Sequence, residues 1–106
     1  MRCLGLDLGA KRIGVALCDP DERVATPLQV VNRGKTKHDD YVAIRRVVEE
    51  YEAQAVVVGL PLNMSGKATV AAQSAMAEAE QLRSVLSVIS VPVYVHDERL
   101  TTVSAD

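Results

Sequence analysis

Phenylalanine and tryptophan are absent from these 106 residues, and tyrosine occurs only three times. The core must therefore be assembled from Val, Leu, Ile and Ala. A dominant charge of one sign is also lacking: 12 basic and 14 acidic residues leave a formal charge of −2. No overall basic field draws in nucleic acid, so any such role needs a local patch. Cysteine is scarce. Two residues, Cys3 and Cys18, do not make a disulfide framework. No apolar run is long enough to span a membrane, and the N-terminus lacks the pattern of a secretory signal. The cytoplasm is the expected location, with both thiols reduced. Repeats, low-complexity tracts and linkers are missing as well, and the length leaves room for one domain.

What is present alternates between strand and helix patterns. Residues 2–8 and 13–18 are short apolar runs joined by Gly9-Ala10-Lys11-Arg12, which predicts a tight β-hairpin. Asp19-Pro20-Asp21-Glu22 is a second turn, leading to a third strand through Leu28-Gln29-Val30-Val31. After the polar stretch 32–37 the period changes. Tyr41, Ile44, Val48 and Tyr51 recur at helical spacing and predict a helix over 38–51. Ala55-Val56-Val57-Val58 is a continuous apolar run, the pattern of a strand buried on both faces. A second helix is predicted over 67–88, with Ala72, Ala75, Ala79, Leu82, Leu86 and Ile89 on one stripe. Residues 91–96 form the last strand, and Thr101 opens a helix that has barely begun.

The order is β-β-β-α-β-α-β. The expectation is a single α/β domain over 1–106 that is incomplete at its C-terminal end, with one sheet face left uncovered.

Three segments carry chemistry. In the first, Asp7 ends a strand between Gly5 and Gly9, with Lys11 and Arg12 in the turn. Glycine at 9 lets the chain turn and a phosphate approach. If the turn centres on Ala10 and Lys11, facing residues sum to 21. Asp7 then faces Gly14, and Cys3 faces Cys18. The plain alternative is a surface Asp beside an ordinary hairpin. In the second, Gly59-Leu60-Pro61-Leu62-Asn63-Met64-Ser65-Gly66-Lys67 follows a buried strand. Such a segment lies where open α/β sheets bind ligands, and a helix N-terminus attracts anions. Asn63, Ser65 and Lys67 can add contacts, although the spacing is not that of a P-loop. It reads equally as a plain strand-to-helix connection. In the third, His96-Asp97-Glu98-Arg99-Leu100-Thr101-Thr102 follows the last strand. Carboxylates from different strand ends suit a hard cation such as Mg²⁺, or they serve the start of the next helix. If strands 1, 4 and 5 are parallel, the three segments converge on one edge, a combination suited to phosphodiester chemistry.

Other polar residues read as structural. His38 sits near a helix start, His96 is a strand residue, and Lys35, Lys37, Arg45 and Arg46 form a solvated helix face. Tyr41 and Tyr51 fit the helix stripe better than a base-stacking surface.

The stretches GLDLGAKRIGVALCDP (5–20), VVVGLPLNMSG (56–66) and VPVYVHDERLTT (91–102) resemble the RuvX/YqgF family. The likeness covers essentially the whole chain in the right order. It implies an RNase-H-like fold with a mixed five-stranded sheet, order 3-2-1-4-5, and flanking helices. It implies a nuclease using Mg²⁺ or Mn²⁺ that matures the 5′ end of precursor 16S rRNA in ribosome biogenesis. The alternative within the family is resolution of branched DNA at Holliday junctions. Carried over by position, Asp7 and Glu98 are the first and second catalytic, metal-binding acids. Gly9, Lys11, Arg12, Asn63, Lys67, Arg99 and Thr101 fall where substrate is bound. Ribosomal particles are implied partners, and monomer and homodimer remain open.

The chain departs from the pattern at Leu8, where an aromatic is common, and at Ala10, where Thr or Ser is common. The family's third acid lies in a C-terminal D-x-x-A-A helix that residues 1–106 do not include. Asp106 reads as a surface residue, so weak metal binding and poor activity are expected. Two other functional classes compete: an actin-like ATPase or sugar-kinase domain, whose first phosphate loop also reads Asp-x-Gly, and a non-catalytic RNA-binding module.

Overall fold

The computed structural model describes residues 2–19, 24–60 and 70–97. Its elements are β1 (Cys3–Leu8), β2 (Arg12–Asp19), β3 (Val24–Asn32), α1 (Lys37–Glu50), β4 (Ala55–Leu60), α2 (Val70–Ser87) and β5 (Val93–Asp97). They form one sheet of order β3-β2-β1-β4-β5. The first three strands are an antiparallel meander. β4 runs parallel to β1, and β5 parallel to β4. The carboxyl ends of β1, β4 and β5 therefore share one edge, as expected from the sequence.

The hairpin register is the one the turn length dictates. Asp7 pairs with Gly14, and Cys3 with Cys18. The β2–β3 ladder shifts between Val15 and Ala16, where Leu28 of β3 has no partner and Pro27 faces Ala16. Proline has no amide hydrogen to donate, and an edge strand at a bulge tolerates that loss.

Alternation assigns the two sheet faces. Leu4 and Leu6 of β1, Ile13 and Val15 of β2, and Val56 and Val58 of β4 join the buried cluster. The same cluster takes Ile44, Val47 and Val48 from α1 and Ala75, Ala79, Leu82 and Leu86 from α2. Both helices thus cover one face. The alanines at the start of α2 leave no side-chain bulk, so the helix approaches β4 and β5 closely. Each fully buried leucine contributes on the order of 1.5–3 kcal/mol by leaving water.

The expectation that β4 is buried on both faces needs correction. Val57 and Gly59 are only partly buried, because both described helices pack on the opposite side. Asp7 and Tyr94 are exposed there, Tyr94 at 55%. Cys3 and Cys18 lie on this second face and are not joined by a disulfide. The Cys18 thiol is held above its ordinary pKa, first by burial and then by Cys3.

Local chemistry sets the helix ends. Thr36 caps α1, its hydroxyl accepting from the Asp39 amide at 3.1 Å. Asp39 and Asp40 occupy the first turn, where the helix dipole favours negative charge. The chain leaves α1 through Glu52 and leaves α2 through Ser90, both with positive φ (53° and 58°). The turn at 20–23 and the proposed first residues of α2 lie outside the described residues. So does the helix expected to start at Thr101. Among the described residues no helix is long and apolar enough to cross a membrane.

Candidate active site

The first strand delivers Asp7 to the carboxyl edge of the sheet. Because Leu6 and Leu8 point toward the helices, Asp7 points to the second face and is exposed. A Cβ placed on Gly14, its cross-strand partner, would lie 3.6 Å from the Asp7 Cβ, an ordinary contact. Glycine at 14 is thus not demanded by a clash, although any longer side chain would grow over the carboxylate. Among the described residues no cation or hydrogen-bond donor pairs with the Asp7 carboxylate.

The turn after Asp7 is tight. The Gly9 amide donates to the Arg12 carbonyl at 2.9 Å and to the Asp7 carbonyl at 3.1 Å. A Cβ on Gly9 would stand 2.7 Å from the Arg12 carbonyl oxygen, a backbone atom that cannot swing away. Gly9→Ala is expected to cost about 1–3 kcal/mol through this overlap. The measurement is a thermal melt; an unchanged melting temperature would contradict the crowding. Lys11 and Arg12 project from this turn and are exposed.

Across the edge, Leu6 pairs with Val58, so Asp7 lies level with Gly59. Gly59 in turn pairs with His96. Asp7 and His96 therefore share a face and a level, two strand spacings or roughly 9.5 Å apart, with a glycine between them. The sequence reading of His96 as a strand residue holds. Its place beside Asp7 is visible only through the parallel register.

Glu98, Arg99, Thr101, Asn63 and Lys67 lie outside the described residues, as does the segment 61–69. Among the described residues no three His, Cys, Asp or Glu side chains gather to hold a metal. Asp7 nevertheless fits a hard cation by its chemistry: an exposed carboxylate with no partner among the described residues, facing a glycine at a strand end. A carboxylate in that place can supply one oxygen ligand to such a cation.

Sequence reasoning missed a second group of residues behind this turn. Arg33 lies in the polar stretch 32–37, yet it is partly buried and binds three segments: the β1–β2 turn, α1 and α2. Its Nε and Nη2 donate to the Gly9 carbonyl at 3.1 and 2.9 Å. Its Nη1 and Nη2 meet the two carboxylate oxygens of Glu78 at 2.7 and 2.8 Å. Nη1 also reaches Asp40 at 3.2 Å, and the Arg33 amide donates to the Lys11 carbonyl at 3.0 Å.

Asp40 and Glu78 are the buried charged residues of the described structure, at 3% and 4% exposure. Asp40 also accepts from the Gly34 amide at 2.6 Å. The Tyr41 hydroxyl donates to Glu78 at 2.9 Å and lies 3.0 Å from the Gln81 side-chain amide. Glu78 is held below the usual carboxylate range, chiefly by its hydrogen bonds from Arg33. Tyr41 is raised above its ordinary value, first by burial and then by Glu78. A signal was present in the sequence. Glu78 is three residues after Ala75 and four before Leu82, and so is an acid on the buried stripe of α2.

An open cleft of about 410 Å³ lies on the helix side of the turn, between Gly9, Ala10, Lys35, Lys37 and Ser74. Asp7 does not line it, because its strand turns the carboxylate to the other face.

A mixed sheet of order 3-2-1-4-5, with an acid at the end of its first strand, defines an RNase-H-like domain. The model of the RuvX family, described as Holliday junction resolvase, matches residues 1–106, and the chain belongs to that family. A Rhodococcus opacus (strain B4) protein bearing the name "Putative pre-16S rRNA nuclease" is 48% identical over 107 residues. That match takes in 98% of this chain and 59% of the relative, so the chain spans less than two thirds of its length. Among solved structures, Thermus thermophilus RuvC in complex with a Holliday junction substrate superposes with a TM-score of 0.62 at 18% identity. The superposition covers 92% of this chain and 64% of RuvC. A Cytophaga hutchinsonii protein described as a "putative sugar kinase" follows at a TM-score of 0.54 and 13% identity, over 92% of this chain and 36% of that one. At such identities the likeness is one of fold, and it does not separate nuclease from kinase.

Proposed function

We propose that this chain is the metal-binding part of an endonuclease that hydrolyses phosphodiester bonds and processes the 5′ end of precursor 16S rRNA. The observation that carries the proposal is the exposed Asp7 carboxylate at the end of β1, without an ion-pair partner among the described residues, in a chain 48% identical to a relative of that name. In this reading Asp7 and Glu98 hold Mg²⁺ or Mn²⁺. The ion, when bound, supplies Lewis acidity at phosphorus and lowers the pKa of water. The residues of the chain do the rest. Lys11 and Arg12, exposed on the turn, offset phosphate charge, and Gly9 keeps the turn narrow. Arg99, Thr101, Asn63 and Lys67 are assigned to substrate. The setting is the cytoplasm, with ribosomal particles as partners and a monomer or homodimer as the assembly.

A second reading, cleavage of branched DNA, is favoured by the family's description and by the fold shared with RuvC. The deciding experiment is a cleavage assay on a precursor rRNA fragment and on a four-way DNA junction, each with and without Mg²⁺ or Mn²⁺. Metal-dependent cutting of the RNA near its mature 5′ end supports the first reading, and symmetric junction cutting supports the second. ATP turnover without either cleavage would favour the kinase-like class. RNA binding unchanged by loss of Asp7 and Glu98, again without cleavage, would favour a binding module.

A further inference from the structure

The β1–β2 turn carries Asp7 on one side and meets Arg33 on the other. The carbonyls of Gly9 and Lys11, which bracket Ala10, are both bound by Arg33, one through its guanidinium and one through its amide. The adjoining Nη1–Nη2 edge of the same guanidinium is fixed by Glu78 of α2 and Asp40 of α1. Among the described residues no buried side-chain nitrogen or oxygen lacks a partner, so the group is complete as it stands.

Burying two carboxylates and an arginine is a poor route to stability, because apolar residues of similar volume often do as well or better. What the ionic group supplies is direction. A planar guanidinium offers donors along two edges at fixed angles, and a lysine ammonium cannot serve both edges at once. The carbonyl it grips is two residues beyond Asp7. Helix α2 and the metal-side turn are therefore connected through one rigid side chain.

We propose that Arg33 is a positioning residue for the metal site: oriented by Glu78 and Asp40, it fixes the Gly9 carbonyl and thereby the place of the Asp7 carboxylate. This rests on the reading of Asp7 as a metal ligand. Groups that orient a ligand indirectly typically alter metal affinity or activity by about 10–100-fold when replaced.

The test uses Arg33→Lys, which keeps the charge and gives up the two-edged grip. Mn²⁺ binding is followed by titration calorimetry, and cleavage by initial rates against Mn²⁺ concentration, both well below the melting temperature. The expected result is a rise of about tenfold or more in the Mn²⁺ concentration for half-maximal activity, with substrate KM little changed. Arg83→Met serves as a control. Arg83 binds the Val93 carbonyl at 2.7 Å, away from the turn, so its loss is expected to lower the melting temperature without moving the Mn²⁺ midpoint. If Arg33→Lys does not fold, Glu78→Gln replaces it, with a shift in the same direction. A wild-type Mn²⁺ midpoint and rate in the folded variant would overturn the proposal. Asp7→Asn is assayed alongside. If that variant keeps metal-dependent cleavage, the reading of Asp7 itself fails. If it is inactive while Arg33→Lys behaves as wild type, only the role of Arg33 fails.

Discussion

Asp7→Asn is expected to slow metal-dependent cleavage by roughly a thousandfold or more, with the melting temperature nearly unchanged. A bound cation stabilises developing charge on phosphorus by several kcal/mol, and losing about 4 kcal/mol of that corresponds to a thousandfold in rate. The amide has the shape of the carboxylate but lacks the charge that holds a hard cation. The fold is spared for three reasons. Asp7 is exposed, it forms no ion pair among the described residues, and it faces a glycine. Exposed substitutions of this kind usually shift stability by about 0.5 kcal/mol or less. Initial rates with Mg²⁺ and Mn²⁺, together with a thermal melt, check both halves. A folded Asp7→Asn protein that still cuts in a metal-dependent way would remove Asp7 from the site.

Glu78→Ala has the largest expected effect on stability, a loss of about 3–5 kcal/mol. The reason is asymmetric. Removing Glu78 leaves Arg33 partly buried with Asp40 as its remaining charge partner, and leaves the Tyr41 hydroxyl without its buried acceptor. A domain of this size is stable by about 5–15 kcal/mol, so the loss is a large fraction of the total. Each kcal/mol corresponds to about 4–8 °C in a domain of 60–100 residues, so a fall of more than 10 °C is expected. The same residue gives a pH dependence. Arg33 holds the folded-state pKa of Glu78 below its ordinary value of 4.5. The unfolded chain therefore takes up a proton first as pH falls. The stabilisation is fully present above about pH 4.5, and it is lost as pH drops through the lower folded-state pKa. Melting temperatures measured from pH 7 to pH 3 should fall in wild type across that interval and fall less steeply in Glu78→Gln. Equal slopes would show that Glu78 is not depressed by Arg33.

Gly9→Ala and Arg33→Lys test the same turn from two sides. The first crowds the Arg12 carbonyl from within the hairpin, and the second loosens the hold on the Gly9 carbonyl from outside. Both act within a few residues of Asp7, so their effects are expected to combine non-additively.

Local rules determined much of this protein. A tight turn centred on Ala10 and Lys11 set the hairpin register, which is why Asp7 meets Gly14 and Cys3 meets Cys18 as the residue count requires. A period near 3.6 placed Ile44, Val48, Ala75, Ala79 and Leu82 in the core, while the 3-2-1-4-5 order, implied by the family resemblance, is the order of the sheet. The three motif blocks pointed to a family that the match over 1–106 bears out. Tertiary structure alone decided what stands behind and beside Asp7. Arg33 and Glu78 are 45 residues apart, and although Glu78 stands out as an acid on the buried stripe of α2, nothing near it in the sequence names Arg33 as its partner. Asp7 and His96 come level only because two parallel crossovers bring Gly59 between them. Patterns of three or four residues report how one element faces the core. Which charged groups meet across that core depends on how separate elements dock, and short-range spacing carries no record of it.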